Sequence, residues 1–295
     1  MVMRLTYMLL AFFLCSVLSA ENRYALTVFI SEYPEESGWN SLNSSNDKEV
    51  ILPMLSSLGY SDSDIICLED ASATYSNIIE ALGILADKAS KGDVVYIHFS
   101  CHGQQITDVN KDEAFANPRD KYDEALVPYD ACIAYDWNGY KGDKHLLDDI
   151  LNEYLHKMTA AVGKDGAVII VADACHSGDL ERTKVADNYS GYRGTFDRFE
   201  LPLQGAVKEA SGLEVGWVSV SACKDFQTNF ECESDGKRYG RLSLAISRCL
   251  KSGMTAEELI ESLRGEYIKL PLPKGKAQTL DAYYPKSRSQ RVLIP

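Results

Sequence analysis

Apolar and polar positions along this chain alternate in blocks that predict strands and helices in turn. Residues 24–30 (YALTVFI) form the first strand-like run. From 47 to 58, Val50, Ile51, Met54, Leu55 and Leu58 recur at helical spacing, with Ser45 or Asn46 as a cap and Gly59 as the stop. Residues 65–68 read as a short second strand, and Ile78, Leu82 and Leu85 as a helix reaching Lys88. Residues 94–99 read as a third strand. Leu146, Leu147, Ile150, Leu151, Tyr154, Leu155 and Met158 mark an amphipathic helix that leads into the β-branched run 168–171. Residues 217–221 predict another strand, 242–250 and 256–263 two helices, and 291–294 a closing extended segment. Strands alternating with helices predict an α/β domain whose mostly parallel sheet is covered on both faces.

The pattern lapses in three places. Residues 106–123 are polar and acidic and read as a solvated loop. Asp108, Asn110 and Asp112 begin like a calcium loop, but Glu113 replaces its glycine and Arg119 its final glutamate, so an EF-hand is excluded. Residues 124–130 form a short extended piece fixed by Pro128. Residues 179–214 read as a long mobile loop carrying Arg182, Lys184, Arg193, Arg198 and Lys208. Residues 1–20 place Arg4 before an apolar core that ends in Ser19 and Ala20, the pattern of a secretory signal peptide. The expected product is one domain over 21–295, secreted or periplasmic, with no stable membrane span after signal removal.

Charge narrows the function. A formal net charge of -13 excludes a general nucleic-acid binder and favours basic partners. Removing Cys15 from the eight cysteines leaves an odd number, so at least one thiol stays unpaired. The cysteines are scattered, which leaves a zinc site unsupported.

The candidate chemistry lies where two strands end. The run 167–178 (AVIIVADACHSG) passes from a buried strand to Asp173, Cys175 and His176. The run 93–103 (DVVYIHFSCHG) passes likewise to Ser100, Cys101, His102 and Gly103. Ligands of open α/β sheets bind beyond the carboxyl ends of the strands. If the two strands are parallel neighbours, His102 and Cys175 emerge at one edge, where an imidazole can activate a thiol.

With these pieces the chain resembles the caspase-like cysteine peptidases, in the metacaspase and bacterial orthocaspase branch. The resemblance rests on HFSCHGQQ at 98–105, DEALVPYD at 123–130, HLLDDIL at 145–151, DACHSG at 173–178 and SACKDFQT at 221–228. It implies a caspase-like fold of about six mainly parallel strands between helices. It implies His102 and Cys175 as a catalytic dyad, with the N–H groups of Gly103 and Cys175 as the oxyanion hole. It implies cleavage of peptide or protein substrates after Arg or Lys. The basic side chain would enter a pocket of Asp47 and Asp173, with Ser100 and Ser44 beside them. The family's self-processing habit makes the basic residues of 179–214 candidate cleavage sites. The chemistry itself requires no cofactor. Calcium enters as an activator that the resemblance raises, because Asp148 and Asp149 match part of the family's acidic site. Its remaining ligands, with Asp179 and Glu181 as the nearest acids, stay open. A monomer is expected.

Cys101 stands where the family usually has glycine, Ala174 where many relatives carry Cys or Asp, and Ser44 where they often carry cysteine. His98, His145, His156 and His176 are assigned to structure, and Asp225 and Gln227 to the neighbourhood of the cleft. Two alternatives remain open from sequence: a non-catalytic caspase-like binding module, and a transpeptidase or ligase that uses the same thioester.

Overall fold

The computed structural model describes residues 21–109, 122–136, 139–175, 191–195, 197–202, 215–224 and 227–295. The strands are β1 (Arg23–Phe29), β2 (Ile65–Glu69), β3 (Val94–Ser100), β4 (His102–Thr107), β5 (Tyr122–Val127), β6 (Leu146–Leu147), β7 (Ala167–Asp173), β8 (Val218–Ser221), β9 (Glu231–Ser234), β10 (Lys237–Gly240) and β11 (Asp281–Tyr283). The helices are α1 (Ser44–Ser57), α2 (Tyr75–Lys88), α3 (Asp148–Val162), α4 (Arg241–Cys249) and α5 (Ala256–Lys269).

Six strands form the central sheet in the order β11-β8-β7-β3-β1-β2. All neighbours run parallel except β11, which lies antiparallel on β8. Side chains alternate across the pleat, so each strand feeds two cores. Tyr96, Ile169 and Val171 pack with Ile51, Leu55, Leu242, Ile246 and Leu263 on one face. Val95, Ile97, Val168 and Ile170 pack with Ile78, Leu82, Leu155 and Met158 on the other. The continuous apolar runs of β3 and β7 follow from burial on both faces. Among the described residues no helix is long and apolar enough to cross a membrane.

Several expectations need correction. The sheet is closed by β11, which the sequence did not reveal, while 291–294 pairs instead with 253–255 through the Val292–Thr255 bridge and the bonds of Leu293 and Ile294. Three residues on a sheet edge carry too short a pattern for periodicity to reveal. The polar stretch 106–123 is strand at both ends. Ile106 and Thr107 belong to β4, Tyr122 and Asp123 to β5, and Asp108 and Asp123 are buried. These strands form a separate antiparallel sheet in the order β4-β5-β6. Leu147 is the extended residue before α3, so that helix starts at Asp148. Neither Ser45 nor Asn46 caps α1: Asn43 holds that position and makes no side-chain cap bond. Its amide is engaged elsewhere, as described below. Residues 1–20, read above as a signal peptide, and all of the calcium-like stretch beyond residue 109 lie outside the described residues.

Candidate active site

The register of the central sheet sets the site. Ser100 at the end of β3 pairs with Asp173 at the end of β7. His102 and Cys175 each follow by two residues, so both emerge at the same carboxyl edge. His102 is buried between aromatic rings, stacked on Trp39 at 4.8 Å and tilted against Tyr33 at 5.2 Å. Its Nε2 lies 2.8 Å from the carbonyl oxygen of Asn40. A carbonyl only accepts, so Nε2 carries the proton and Nδ1 keeps its lone pair. Nδ1 is buried and makes no hydrogen bond. Burial pushes the His102 pKa down to about 4, so the ring is neutral near pH 7.

Cys175 is also buried, and its thiol donates to the carbonyl oxygen of Gln227 at 3.4 Å. The Cys223 thiol donates to the same oxygen at 3.2 Å. All seven cysteines beyond the leader-like stretch are reduced thiols. Cys101 beside His102 is buried, which pushes its pKa up to about 12. That thiol stays protonated and acts as a core side chain.

The acidic pocket contains a cation from the chain itself. Arg193 is completely buried. Its Nη2 lies 2.7 Å from Asp47 Oδ2 and 3.1 Å from Glu231 Oε1. Its Nη1 donates to Ser100 Oγ at 2.7 Å and lies 3.8 Å from Asp173 Oδ1. Residues 179–214 are thus not a mobile loop throughout: Gly191 to Thr195 lie in the cleft. The rest of the loop expectation falls largely on 179–190 and 203–214, outside the described residues.

Each wall of this pocket is an element end. Asp173 receives the N–H and O–H of Ser243, both at 2.7 Å, so its carboxylate sits at the N-terminus of α4. Asn229 Nδ2 donates to its other oxygen at 2.7 Å. Burial opposes the charge on Asp173, but the guanidinium and these donors outweigh it and hold the pKa low. Asp47 accepts from Gly240 N–H at 2.9 Å and from Ser100 Oγ at 2.7 Å. Burial raises its pKa to about 6; Arg193 pulls it down and the like charge of Asp173 pushes it up. Burial alone would lower the Arg193 pKa, but Asp47, Asp173 and Glu231 together raise it. Asn43 donates to Glu231 through its N–H at 2.8 Å and its side-chain amide at 2.6 Å. This is why it does not cap α1. Ser44 is buried next to this residue, and its hydroxyl makes no hydrogen bond.

Residues 191–194 are held as an added strand. Arg193 N–H donates to Asn229 O at 3.0 Å, and Glu231 N–H donates to Gly191 O at 2.7 Å. Tyr192 bridges Phe230 antiparallel. The Cys175 N–H donates to Arg193 O at 2.7 Å. Gly194 then bridges Gly103 in parallel. Peptides bind sheet edges in this manner, with main-chain bonds fixing the strand and a side chain filling a pocket.

The structure brings the sequence-named residues His102, Gly103, Cys175, Asp47, Asp173 and Ser100 to one edge of the sheet. Sequence reading missed Glu231 and Asn229, whose nearest signal was their position just after SACKDFQT, and Ser243 in the first turn of α4. His98, assigned to structure from the sequence, is buried in its strand beneath the pocket. Ser243 gives its proton to Asp173, so Ser243 Oγ accepts from His98 Nε2 at 3.1 Å. That leaves His98 Nδ1 to accept from Tyr96 O–H, also at 3.1 Å. The relay fixes both the tautomer and the rotamer beneath the pocket.

Asp148 and Asp149 occupy the first turn of α3, where carboxylates meet the helix dipole favourably. Asp148 lines a cavity of about 350 Å³ with Glu124, Trp217 and Lys224. Among the described residues no cluster of three or more His, Cys, Asp or Glu side chains is placed to hold a metal. Asp179 and Glu181 lie outside them. The described donors therefore do not form a calcium site on their own.

Known proteins agree with this architecture. The crystal structure of a protein from Geobacter sulfurreducens superposes with a TM-score of 0.60 at 20% identity, over 92% of this chain and 99% of that one. Metacaspase-1B of Aspergillus fumigatus is 24% identical over 261 residues, 72% of this chain and 60% of the relative. Metacaspase-1 of Yarrowia lipolytica is 26% identical over 260 residues, 72% and 53% of the two chains. Metacaspase-1A of Aspergillus terreus is 30% identical over 252 residues, 70% and 58%. The chain thus spans little more than half the length of these curated relatives. The family model described as metacaspase, peptidase C14 domain, matches residues 25–182, the stretch that carries both strand ends, and this chain belongs to that family.

Proposed function

We propose that this chain is an exported cysteine endopeptidase that cuts after arginine or lysine, with Cys175 as nucleophile and His102 as acid and base. One observation carries the reading. An arginine fills the acidic pocket while its carbonyl oxygen takes the N–H of Cys175 at 2.7 Å. Three carboxylates around one cavity repel each other unless a cation joins them, so neutral and acidic side chains are selected against.

The steps follow from the residues in place. The thiol proton passes from Cys175 to Nδ1 of His102, the basic ring atom fixed by the Asn40 contact. The thiolate adds to the carbonyl carbon of the residue in the pocket. Charge develops on the oxygen that the Cys175 N–H already faces, with Gly103 as the second proposed donor. His102 protonates the leaving amine, the carbon–nitrogen bond breaks and a thioester remains. Water, deprotonated by His102, releases the acid and restores the thiol. No step uses calcium.

The leader-like residues 1–20 support export and a mature chain starting near Glu21, acting as a monomer on peptide or protein substrates. The basic residues of 179–214 support self-processing there. Fluorogenic peptides with Arg, Lys, Asp or Leu before the cut test the reading, with Cys175→Ala as control. Hydrolysis of the Arg and Lys peptides only, lost in the variant, is expected. Equal hydrolysis of the Asp peptide, or full activity in Cys175→Ala, would overturn it.

A further inference from the structure

The pocket accounts for the residue before the cut. A separate contact governs the residue after it. Gly194 passes between the two strand ends that carry the candidate dyad. A Cβ at this position would lie 2.6 Å from Cys175 O, 2.8 Å from Cys175 Cβ and 3.1 Å from Gly103 O. Side-chain carbons do not come as close as the first two of these, the third is a tight contact, and none of the three is the tip of a flexible side chain. Two are main-chain oxygens at the sheet edge, and the third is the root of the nucleophile's own side chain. Displacing any of them moves the groups that must do the chemistry.

The strand cannot swing aside either. Before Gly194 it is fixed by the Arg193 guanidinium and by the bonds of residues 191 and 193 to Glu231 and Asn229. After it, Phe199 N–H donates to Gln105 O at 2.8 Å and Thr107 N–H donates to Phe199 O at 3.0 Å. The segment therefore tracks β4 on the far side of the bond. A position pinned on both sides, with backbone against its Cα, admits only a residue without Cβ.

We infer that the cleft is selective for arginyl–glycyl bonds, and that the Arg193–Gly194 bond of its own chain is the first it cuts. This rests on the peptidase reading given above and adds the residue after the cut. Cleavage consumes one water. The bond from Arg193 carbon to Gly194 nitrogen breaks, Gly194 leaves as a free amine with a proton from His102, and Arg193 ends as a carboxylate once the thioester is hydrolysed.

The test uses the full chain and internally quenched peptides copying 190–195, Ser-Gly-Tyr-Arg-Xaa-Thr, with Xaa as Gly, Ala, Ser or Leu. The Gly peptide is expected to show kcat/KM at least tenfold above each of the others. Mass spectrometry is expected to find a new N-terminus at Gly194 in wild type, absent in Cys175→Ala and slowed at least tenfold in Gly194→Ala. A preference below tenfold among the peptides overturns the glycine restriction while leaving a peptidase. Peptide hydrolysis by a wild type that stays intact at 193–194 overturns the self-cleavage. Cleavage of no peptide overturns both this inference and the peptidase reading beneath it.

Discussion

The main-chain N–H of Cys175 donates to the carbonyl oxygen of Arg193 at 2.7 Å, so the backbone of the proposed nucleophile holds a residue of the same chain where the proposed substrate would lie. The pocket and the N–H are therefore engaged together, by one arginine. A tethered segment competes with added peptide at an effective concentration of about millimolar or more.

Removing Arg193 should open the cleft. In a Cys175→Ala background, a labelled arginyl peptide is expected to bind at least tenfold tighter once Arg193→Ala is added. The double variant should also unfold at lower temperature, because it leaves Asp47, Asp173 and Glu231 without their cation. Added peptide should restore more of that loss than it does in the single variant. Identical affinities, by fluorescence anisotropy, would mean that the seated arginine does not compete.

Recognition of arginine should fade in acid through the pocket rather than through the histidine. Asp47 has a pKa raised to about 6 with the guanidinium seated, and an empty pocket raises it further through repulsion from its neighbours. His102 is held down at about 4 by burial. As pH falls through about 6, Asp47 takes up a proton and the pocket loses a charge. The kcat/KM for an arginyl peptide should therefore show an acid limb at or above about pH 6. Asp47→Asn should flatten this limb and lower the plateau. An unchanged limb in that variant would assign it to another group.

Stability should fall in the same acid range for a different reason. Burial lowers the pKa of His98 to about 3 and of His102 and His145 to about 4. Each is below the unfolded value of roughly 6.5. A depressed histidine contributes its full stability above the unfolded pKa and loses it as pH falls from there to the folded pKa. Each such group costs about 1.4 kcal/mol per pH unit inside that window. His145→Gln should make the urea-derived stability less steep between about pH 6.5 and 4. Parallel curves for wild type and variant would show that His145 titrates normally in the fold.

The donors around Asp173 should grade in effect. Asp173→Asn removes a buried charge opposite the guanidinium and should cost arginyl peptides about 3 kcal/mol in kcat/KM, or about a hundredfold. Ser243→Ala keeps the N–H bond to Asp173 but loses the O–H bond and the link to His98. It should cost about 1 kcal/mol, or about fivefold. An equal loss in both variants would indicate that the helix terminus moves as a unit.

Much of this site could be read from the chain because its parts stand at the ends of strongly patterned strands. The runs before Ser100 and Asp173 are continuous and apolar, so the polar residues that follow them were conspicuous, and parallel pairing brings them together. The pocket's other half could not be read in this way. Glu231 begins a four-residue strand, Asn229 precedes it without any periodic pattern, and Ser243 looks like an ordinary first-turn residue of a helix. Their meeting is fixed by long-range packing, which a local period does not encode. Arg193 was visible as one of five basic residues in its stretch. Nothing local to it distinguished the one that is buried.

Gly240 offers the sharpest test of the pocket. It precedes α4, and its N–H is held by Asp47. A Cβ there would overlap Asp173 Oδ2 and lie 2.6 Å from both Cζ and Nη1 of Arg193. The Gly240 backbone itself has φ -60 and ψ 133, a conformation open to any residue, so alanine introduces no main-chain strain. Gly240→Ala should thus fill the pocket while the hairpin of β9 and β10 still forms. The expected result is a near-native circular dichroism spectrum with kcat/KM for arginyl and lysyl peptides reduced at least a hundredfold. Unaltered cleavage after arginine in Gly240→Ala would mean that the basic side chain of a substrate binds elsewhere.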